Sequence, residues 1–216
     1  MELRKVNEHI LEEAFAPAIP ITHLMAEVQS AGSQLFSSID IQHAFFSLHI
    51  KKGTEDATAF YNDTGTNLFS WGENLSGRWV FKRCVIGAQP SSAALYKAMS
   101  FALQGVSNVV IYCDDLFMHL VTRKLHFDAI RKVLGRLKKY GLKIAPKKCK
   151  FMHKNLTFLG YNISGEGIRP EKDKLMHLKT INYPTNVKEI RGFLGFVKFF
   201  YKFILNSSLY ASQLTL

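Results

Sequence analysis

The chain has 216 residues, 47% apolar and 21% charged, which is the balance of a folded domain and not of a disordered tail. No apolar run approaches the ~18 residues of a membrane span, and "MELRKVNEHILEEAF" lacks a secretory pattern, so no membrane association is expected. The net charge of +11 is uneven: residues 1–120 hold 8 Lys and Arg against 12 Asp and Glu, a net of −4, and residues 121–216 hold 20 against 5, a net of +15. A basic half of that size fits a polyanion such as nucleic acid, although lysine-rich helices also carry solvated basic faces.

In chain order, "QLFSSIDI" (34–41) alternates Leu35, Ser37, Ile39 and Ile41 against Phe36, Ser38 and Asp40, which predicts a strand ending near Asp40. "FFSLHI" is expected to continue as strand and "KKGTED" to turn. "ATAFYNDTGTNLFSW" is expected to hold a second strand and a turn through Asn62–Gly65. "SSAALYKAMSFALQG" (91–105) predicts a helix with a serine start and Gly105 at its end. "NVVIYCDDLFMHLV" predicts a hairpin with Asp114 and Asp115 at its tip. "KLHFDAIRKVLGRLKKYG" is an amphipathic helix with Leu125, Ala129, Ile130, Val133, Leu134 and Leu137 on one face and Gly141 as its stop. "CKFMHKNLTFLGYNIS" predicts two short strands around His153–Asn155, then a turn at Gly165–Gly167. Pro170 is expected to open a helix, and Pro184–Thr185 to cap another, "NVKEIRGFLGFVKFFYKFI". Hairpins mixed with helices indicate an α+β fold, an antiparallel sheet with helices on one side.

Two adjacent carboxylates repel each other. Asp–Asp is good turn chemistry, so water at a hairpin tip is one explanation. The other is a cation: if the strand ending at Asp40 neighbours the hairpin, three carboxylates converge at a sheet edge. That is the oxygen-rich, incomplete coordination that hard divalent cations accept beside substrate phosphates. Two such ions ~3.5–4 Å apart can drive an in-line displacement on phosphorus. Cys84, Cys113 and Cys149 are odd in number and widely spaced, which points to reduced thiols in an intracellular protein. Cys149 and His153 lack a second pair with ligand spacing, so zinc is not expected. His119 and the other histidines read as ordinary surface or half-buried residues.

"FSSIDIQHAFFSLHI", "IYCDDLF", "HFDAIRKVLGRLKKYGLKIAPKKCKF", "FLGYNISGEGIRPEKDKL" and "VKEIRGFLGFVKFFYKFI" together resemble the ordered blocks of a reverse transcriptase of the gypsy-type long-terminal-repeat retrotransposons, as part of a pol polyprotein. The resemblance runs from "LRKVN" to "SQLTL". It implies a right-hand polymerase fold: truncated fingers at 1–15, palm at 16–47, fingers at 48–90, palm at 91–166, and the start of a thumb or connection at 167–216. It implies RNA-directed DNA polymerase activity on a primer–template, with deoxynucleoside triphosphates as substrates. The expected setting is the cytoplasm, retrotransposon particles included.

By the same resemblance, Asp40, Asp114 and Asp115, with the Ile41 carbonyl, hold two Mg²⁺ or Mn²⁺ ions. Gln42, His43, Ala44, Phe45, Ile86 and Gly87 line the nucleotide, with Phe45 excluding a ribose 2′-OH. Lys147 or Lys148 protonates the departing pyrophosphate. Phe158, Leu159, Gly160 and Tyr161 grip the primer end. Lys188, Arg191, Lys198 and Lys202 bind backbone phosphates. Departures from the family pattern are Ile86 where Phe or Gln is usual, Ser92 where Pro is usual, a long polar stretch at 62–78, and a start inside the fingers. These imply an incomplete copy, and they leave open a second reading, a nucleic-acid-binding relic that has lost catalysis.

Overall fold

The alternating segment at 35–40 forms the central strand of the sheet that carries the paired aspartates. The computed structural model describes residues 21–52, 60–62 and 77–213. In chain order the elements are α1 (Ile21–Ser30), β1 (Leu35–Asp40), α2 (Ala44–Ser47), β2 (Phe60–Asn62), β3 (Gly77–Trp79), α3 (Gln89–Ala102), β4 (Val109–Tyr112), β5 (Asp115–Leu120) and α4 (Arg123–Lys139). Then come β6 (Lys150–His153), β7 (Asn155–Phe158), β8 (Tyr161–Ser164), β9 (Gly167–Pro170), α5 (Lys172–Thr180), α6 (Val187–Val197), a 3₁₀ helix (Lys198–Phe203) and α7 (Ser207–Gln213). Two compact units divide the chain, Met1–Lys154 and Asn155–Leu216.

In the first unit a four-stranded sheet has the order β4-β5-β1-β6, with every neighbour antiparallel. The β1–β5 register sets Ile39 opposite Leu116 and Ser37 opposite Met118. With Leu95, Met99 and Ala102 of α3 and Ala129, Val133 and Leu137 of α4, these apolar strand residues make the core. Each large side chain buried this way contributes about 1.5–3 kcal/mol. Side chains alternate along a strand, so Phe36, Ser38, Asp40, Asp115, Phe117 and His119 share the opposite face. There Phe36 stacks on Phe117 at 6.0 Å between centroids. His119 Nε2 lies 3.4 Å from Glu27 Oε1 of α1, short of hydrogen-bond geometry, and Nδ1 shares a 2.9 Å hydrogen bond with Ser33 Oγ.

The β1–β6 ladder carries a bulge. Phe36 pairs with His153 and Ser38 with Lys150, so Phe151 and Met152 together oppose Ser37. Met152 takes φ 58°, and its N–H, displaced from the ladder, donates to Ser37 Oγ at 2.9 Å. The same hydroxyl sits 2.6 Å from His126 Nε2 of α4. One serine on the central strand thus ties helix, strand and bulge together.

α4 is closed at both ends by its own sequence. Thr122 Oγ1 accepts from Leu125 N at 3.3 Å. Gly141, at φ 72°, lets Gly141 N reach Lys138 O and Leu142 N reach Leu137 O, with both leucines buried.

The second unit is a β7-β8-β9 antiparallel meander followed by helices. Leu156, Phe158, Tyr161, Ile163 and Ile168 are buried. Phe158 pairs with Tyr161 across the two-residue turn Leu159–Gly160, both at positive φ (52° and 77°), as the tightest hairpins require.

Several expectations need correcting. "FFSLHI" does not continue as strand: His43 enters the left-handed region at φ 52° and the chain coils into α2. α3 begins at Gln89 behind Ala88, with Pro90 in its first turn, so no serine caps it. Leu125 is 54% exposed, and the polar His126 takes the buried position on α4 instead. His119, expected at or near the surface, is fully buried. Pro170 ends β9, and α5 starts at Lys172. Asn186, not Pro184–Thr185, is the N-cap of α6: its side chain accepts from Glu189 N while the Glu189 carboxylate accepts from Thr185 N. The turn expected through Asn62–Gly65 and the 1–15 segment lie outside the described residues.

Candidate active site

Strand pairing alone places the carboxylates. The β4–β5 hairpin turns through Cys113 and Asp114, with Cys113 at φ 53°. Asp115 then starts β5 directly opposite Asp40, the last residue of β1. The turn is fastened to β1 because Ile41 N donates to Asp114 O at 3.1 Å. Asp40 and Asp115, opposite each other in register, point to the same side of the sheet.

A third segment closes the site. Gln42 N donates to Lys143 O at 2.8 Å, Ile41 bridges Ile144, and Ala145 N donates to Asp40 O at 2.9 Å. The turn that follows, with Lys148 N donating to Ala145 O, delivers Lys148 Nζ to 3.3 Å from Asp40 Oδ2. Lys147, its neighbour, is exposed and makes no hydrogen bond or ion pair among the described residues. Of the two lysines, Lys148 is the one brought to the carboxylates.

Charge crowding is visible in Asp115. Burial first, then Asp114 and Asp40, push its carboxyl up to about 6, and Lys148 acts in the opposite sense. Three carboxylates against one ammonium leave the cluster short of positive charge, and the donors are hard oxygens, so residue chemistry and electrostatics both fit divalent cations. The cage is not ready-made: among the described residues no three acidic, imidazole or thiol groups are close enough to enclose an ion. Lys148 Nζ, 3.3 Å from Asp40 Oδ2, is the cation nearest the cluster among the described ion pairs.

Beyond Ile41, Gln42 and His43 are exposed, Ala44 is buried, and Phe45 packs partly on the core while keeping part of its ring accessible. Ser47 Oγ donates to Ala44 O, which tightens the α2 turn that holds Phe45. Leu48, His49 and Ile50 pair back on Lys82, Arg83 and Cys84. That ties the chain leading to Ile86 and Gly87 to the α2 segment. Ile86 is 62% exposed and Gly87 takes φ 92°.

The remaining expected site residues belong to the second unit. Phe158 and Tyr161 are buried and anchor the Leu159–Gly160 turn. Tyr161 stacks on Phe199 (4.2 Å, 14°), and its hydroxyl donates to Phe199 O at 3.2 Å. Lys174 Nζ lies 3.9 Å from the Phe199 ring centre and Lys202 Nζ 4.8 Å from that of Tyr161, so the stacked rings lie between two cations. Lys188, Arg191, Lys198 and Lys202 are all exposed. Sequence reading missed the Lys148–Asp40 pair, 108 residues apart, and Lys174 beneath the turn; neither has a local signal.

Over residues 1–163 the chain matches the family described as reverse transcriptase (RNA-dependent DNA polymerase). It is 25% identical over 217 residues to the Retrovirus-related Pol polyprotein from transposon 412 of Drosophila melanogaster, covering 100% of this chain and 16% of that protein. It is 28% identical to the Transposon Tf2-3 polyprotein of Schizosaccharomyces pombe, covering 96% of this chain and 15% of the relative. The chain therefore spans about a sixth of the length of these curated relatives. The fold matches the foamy viral protease-reverse transcriptase in complex with double-stranded DNA at TM-score 0.83 and 23% identity, covering 99% of this chain and 35% of that one. The complex of the foamy viral enzyme with an RNA/DNA hybrid matches at TM-score 0.69 and 22% identity, over 92% of this chain and 25% of that one. These likenesses show the mixed helix and antiparallel-sheet polymerase fold, and the relatives are Pol polyproteins of long-terminal-repeat transposons, as the sequence blocks implied.

Proposed function

The chain belongs to the reverse transcriptase (RNA-dependent DNA polymerase) family, and from that premise we propose that it adds deoxynucleotides to a primer paired with an RNA or DNA template. The observation that carries the reading is the register that sets Asp40 against Asp115, with Asp114 on the turn fastened to Ile41. Asp40, Asp114 and Asp115, with the Ile41 carbonyl, are the groups that would hold a pair of Mg²⁺ or Mn²⁺ ions. Such ions supply activation of the primer 3′-hydroxyl and charge neutralisation at the triphosphate.

The other roles fall to the chain's own residues. Lys148, already within reach of the carboxylates, is the candidate proton donor to pyrophosphate. The half-exposed ring of Phe45 is the candidate filter against a ribose 2′-hydroxyl, and Gln42, His43, Ala44, Ile86 and Gly87 are the candidate nucleotide contacts. The Leu159–Gly160 turn, braced by Phe158 and Tyr161, is the candidate grip on the primer end. Lys188, Arg191, Lys198 and Lys202 bind phosphates without reading sequence.

On this reading 16–47 and 91–166 form the palm, 1–15 and 48–90 the fingers, and 167–216 the start of the thumb. Extension of a DNA primer on an RNA template in Mg²⁺ tests the proposal. Template-directed product is expected, and tight duplex binding without any addition would refute it in favour of a non-catalytic binding protein.

A further inference from the structure

The outward face of α4 has a composition that the carboxylate site does not explain. The helix carries seven cations, Arg123, Lys124, Arg131, Lys132, Arg136, Lys138 and Lys139, against the single carboxylate Asp128. None of the seven makes an ion pair among the described residues. Its inner face is fixed by His126, Ala129, Val133 and Leu137, all buried. Lys124, Phe127, Arg131 and Lys138 follow one another at offsets of three, four and seven residues, so they form one stripe on the opposite side. The stripe runs about 21 Å along the axis at ~1.5 Å per residue.

Phe127 is the informative member. It is 51% exposed in the middle of a basic stripe, where a solvated helix face would carry a polar residue. The Arg131 guanidinium lies 5.2 Å from its ring centre. Between Arg131 and Lys138 the stripe passes Gly135, where an added Cβ would meet nothing within 4 Å. Bare backbone therefore lies between Arg131 and Lys138, about 12 Å along the axis from Phe127. Cations that track a backbone, interleaved with an exposed ring on which a base can stack, are what an unpaired nucleic-acid strand requires. A duplex, with its bases already stacked, has no use for the ring.

We propose that this face of α4 is a second nucleic-acid site, one that holds a single strand through its phosphates on Lys124, Arg131 and Lys138 and one base on Phe127. It is separate from the carboxylate cluster. α4 packs on the sheet face that carries Ser37 and Ile39, whereas Asp40 and Asp115 project to the other face.

The test is fluorescence anisotropy of the whole chain with a labelled oligouridylate and, separately, a blunt RNA–DNA duplex, both with chelator present. Failure of nucleotide addition then leaves the result readable. The Lys124→Glu/Arg131→Glu/Lys138→Glu variant is expected to flatten the slope of log affinity against log salt for the oligouridylate by about 2, three contacts at ~0.7 each. Duplex affinity is expected to stay nearly constant. Phe127→Ala is expected to weaken the oligouridylate about fivefold or more at high salt, where stacking persists. Should the triple variant misfold, 5-iodouridine cross-linking of the native chain gives the answer instead, with the label expected in peptide 125–131. Unchanged single-strand affinity in both variants, an equal loss for the duplex, or cross-links only elsewhere would overturn the proposal. So would complete displacement of the strand by inorganic polyphosphate together with a silent Phe127→Ala, which would assign a generic polyanion surface.

Discussion

Ser37→Ala removes one oxygen and, by the geometry around it, disconnects three elements. Ser37 is fully buried on β1. Its hydroxyl accepts from Met152 N at 2.9 Å in the β6 bulge and pairs with His126 Nε2 at 2.6 Å on α4. With the hydroxyl donating to Nε2 the same oxygen is free to accept from Met152 N, and the ring proton then sits on the unpartnered Nδ1. After substitution, a fully buried imidazole nitrogen and a half-buried backbone N–H both lose their partner. An unsatisfied buried group costs about 1–3 kcal/mol, and the partly accessible Met152 N–H belongs at the low end, so the sum is about 3 kcal/mol. For a unit of this size that lowers Tm by about 6–12 °C. Thermal melts and urea titration of Ser37→Ala, beside Ser38→Ala as the neighbour on the same strand, read it directly. The control is expected within about 0.5 kcal/mol of the parent. A Ser37→Ala variant equally close to the parent would refute the bridging role.

Three further outcomes follow from the same structure. Burial holds both His119 and His126 below the usual imidazole range. Each therefore takes up a proton less readily in the fold than in the unfolded chain, which gains protons below pH ~6.5, so stability should fall as pH drops through that value, by up to about 1.4 kcal/mol per pH unit for each histidine. Asp115, raised to about 6, works the other way over that window, so melts against pH in an Asp115→Asn background isolate the histidines; a flat or rising profile there would contradict the assignment. Gly160→Ala puts a side chain at φ 77° and into the end of Lys174, which sits on Phe199. The expected cost is about 2 kcal/mol, and in a Lys174→Ala background only the backbone part should remain; an undiminished cost in that double-mutant cycle would exclude the lysine. Phe45→Ala should raise ribonucleotide incorporation relative to deoxyribonucleotide in single-nucleotide addition, and an unchanged sugar preference would remove Phe45 from the filter.

Elements with a strong internal period were legible in the sequence. β1, the β4–β5 hairpin and α4 announce themselves by alternation, by two acidic turn residues after a strand, and by an apolar helical face ended at Gly141. α2 was not legible. Phe45, Phe46 and Leu48 favour strand by propensity, and what overrides them is the left-handed turn at His43 and pairing with Lys82–Cys84 more than thirty residues on. His126 was read past because a polar residue on an apolar face signals exposure, unless a partner such as Ser37 is supplied by a strand 89 residues earlier. The carboxylates were half legible: Asp114–Asp115 stands out locally, but Asp40 joins them only if β1 pairs with β5, a relation no local pattern contains. Lys148 on Asp40 was beyond reach for the same reason.

The proposed polymerase activity requires that the carboxylate cluster be the seat of nucleotide addition. Its most direct test is single-turnover addition of one deoxynucleotide to a DNA primer on an RNA template in Mg²⁺. The parent is compared with Asp114→Asn and with Asp128→Asn, a carboxylate on the outer face of α4. Addition is expected from the parent and from Asp128→Asn, with a loss of more than about a hundredfold in Asp114→Asn and duplex affinity retained. Addition by Asp114→Asn at the parent's rate would contradict it.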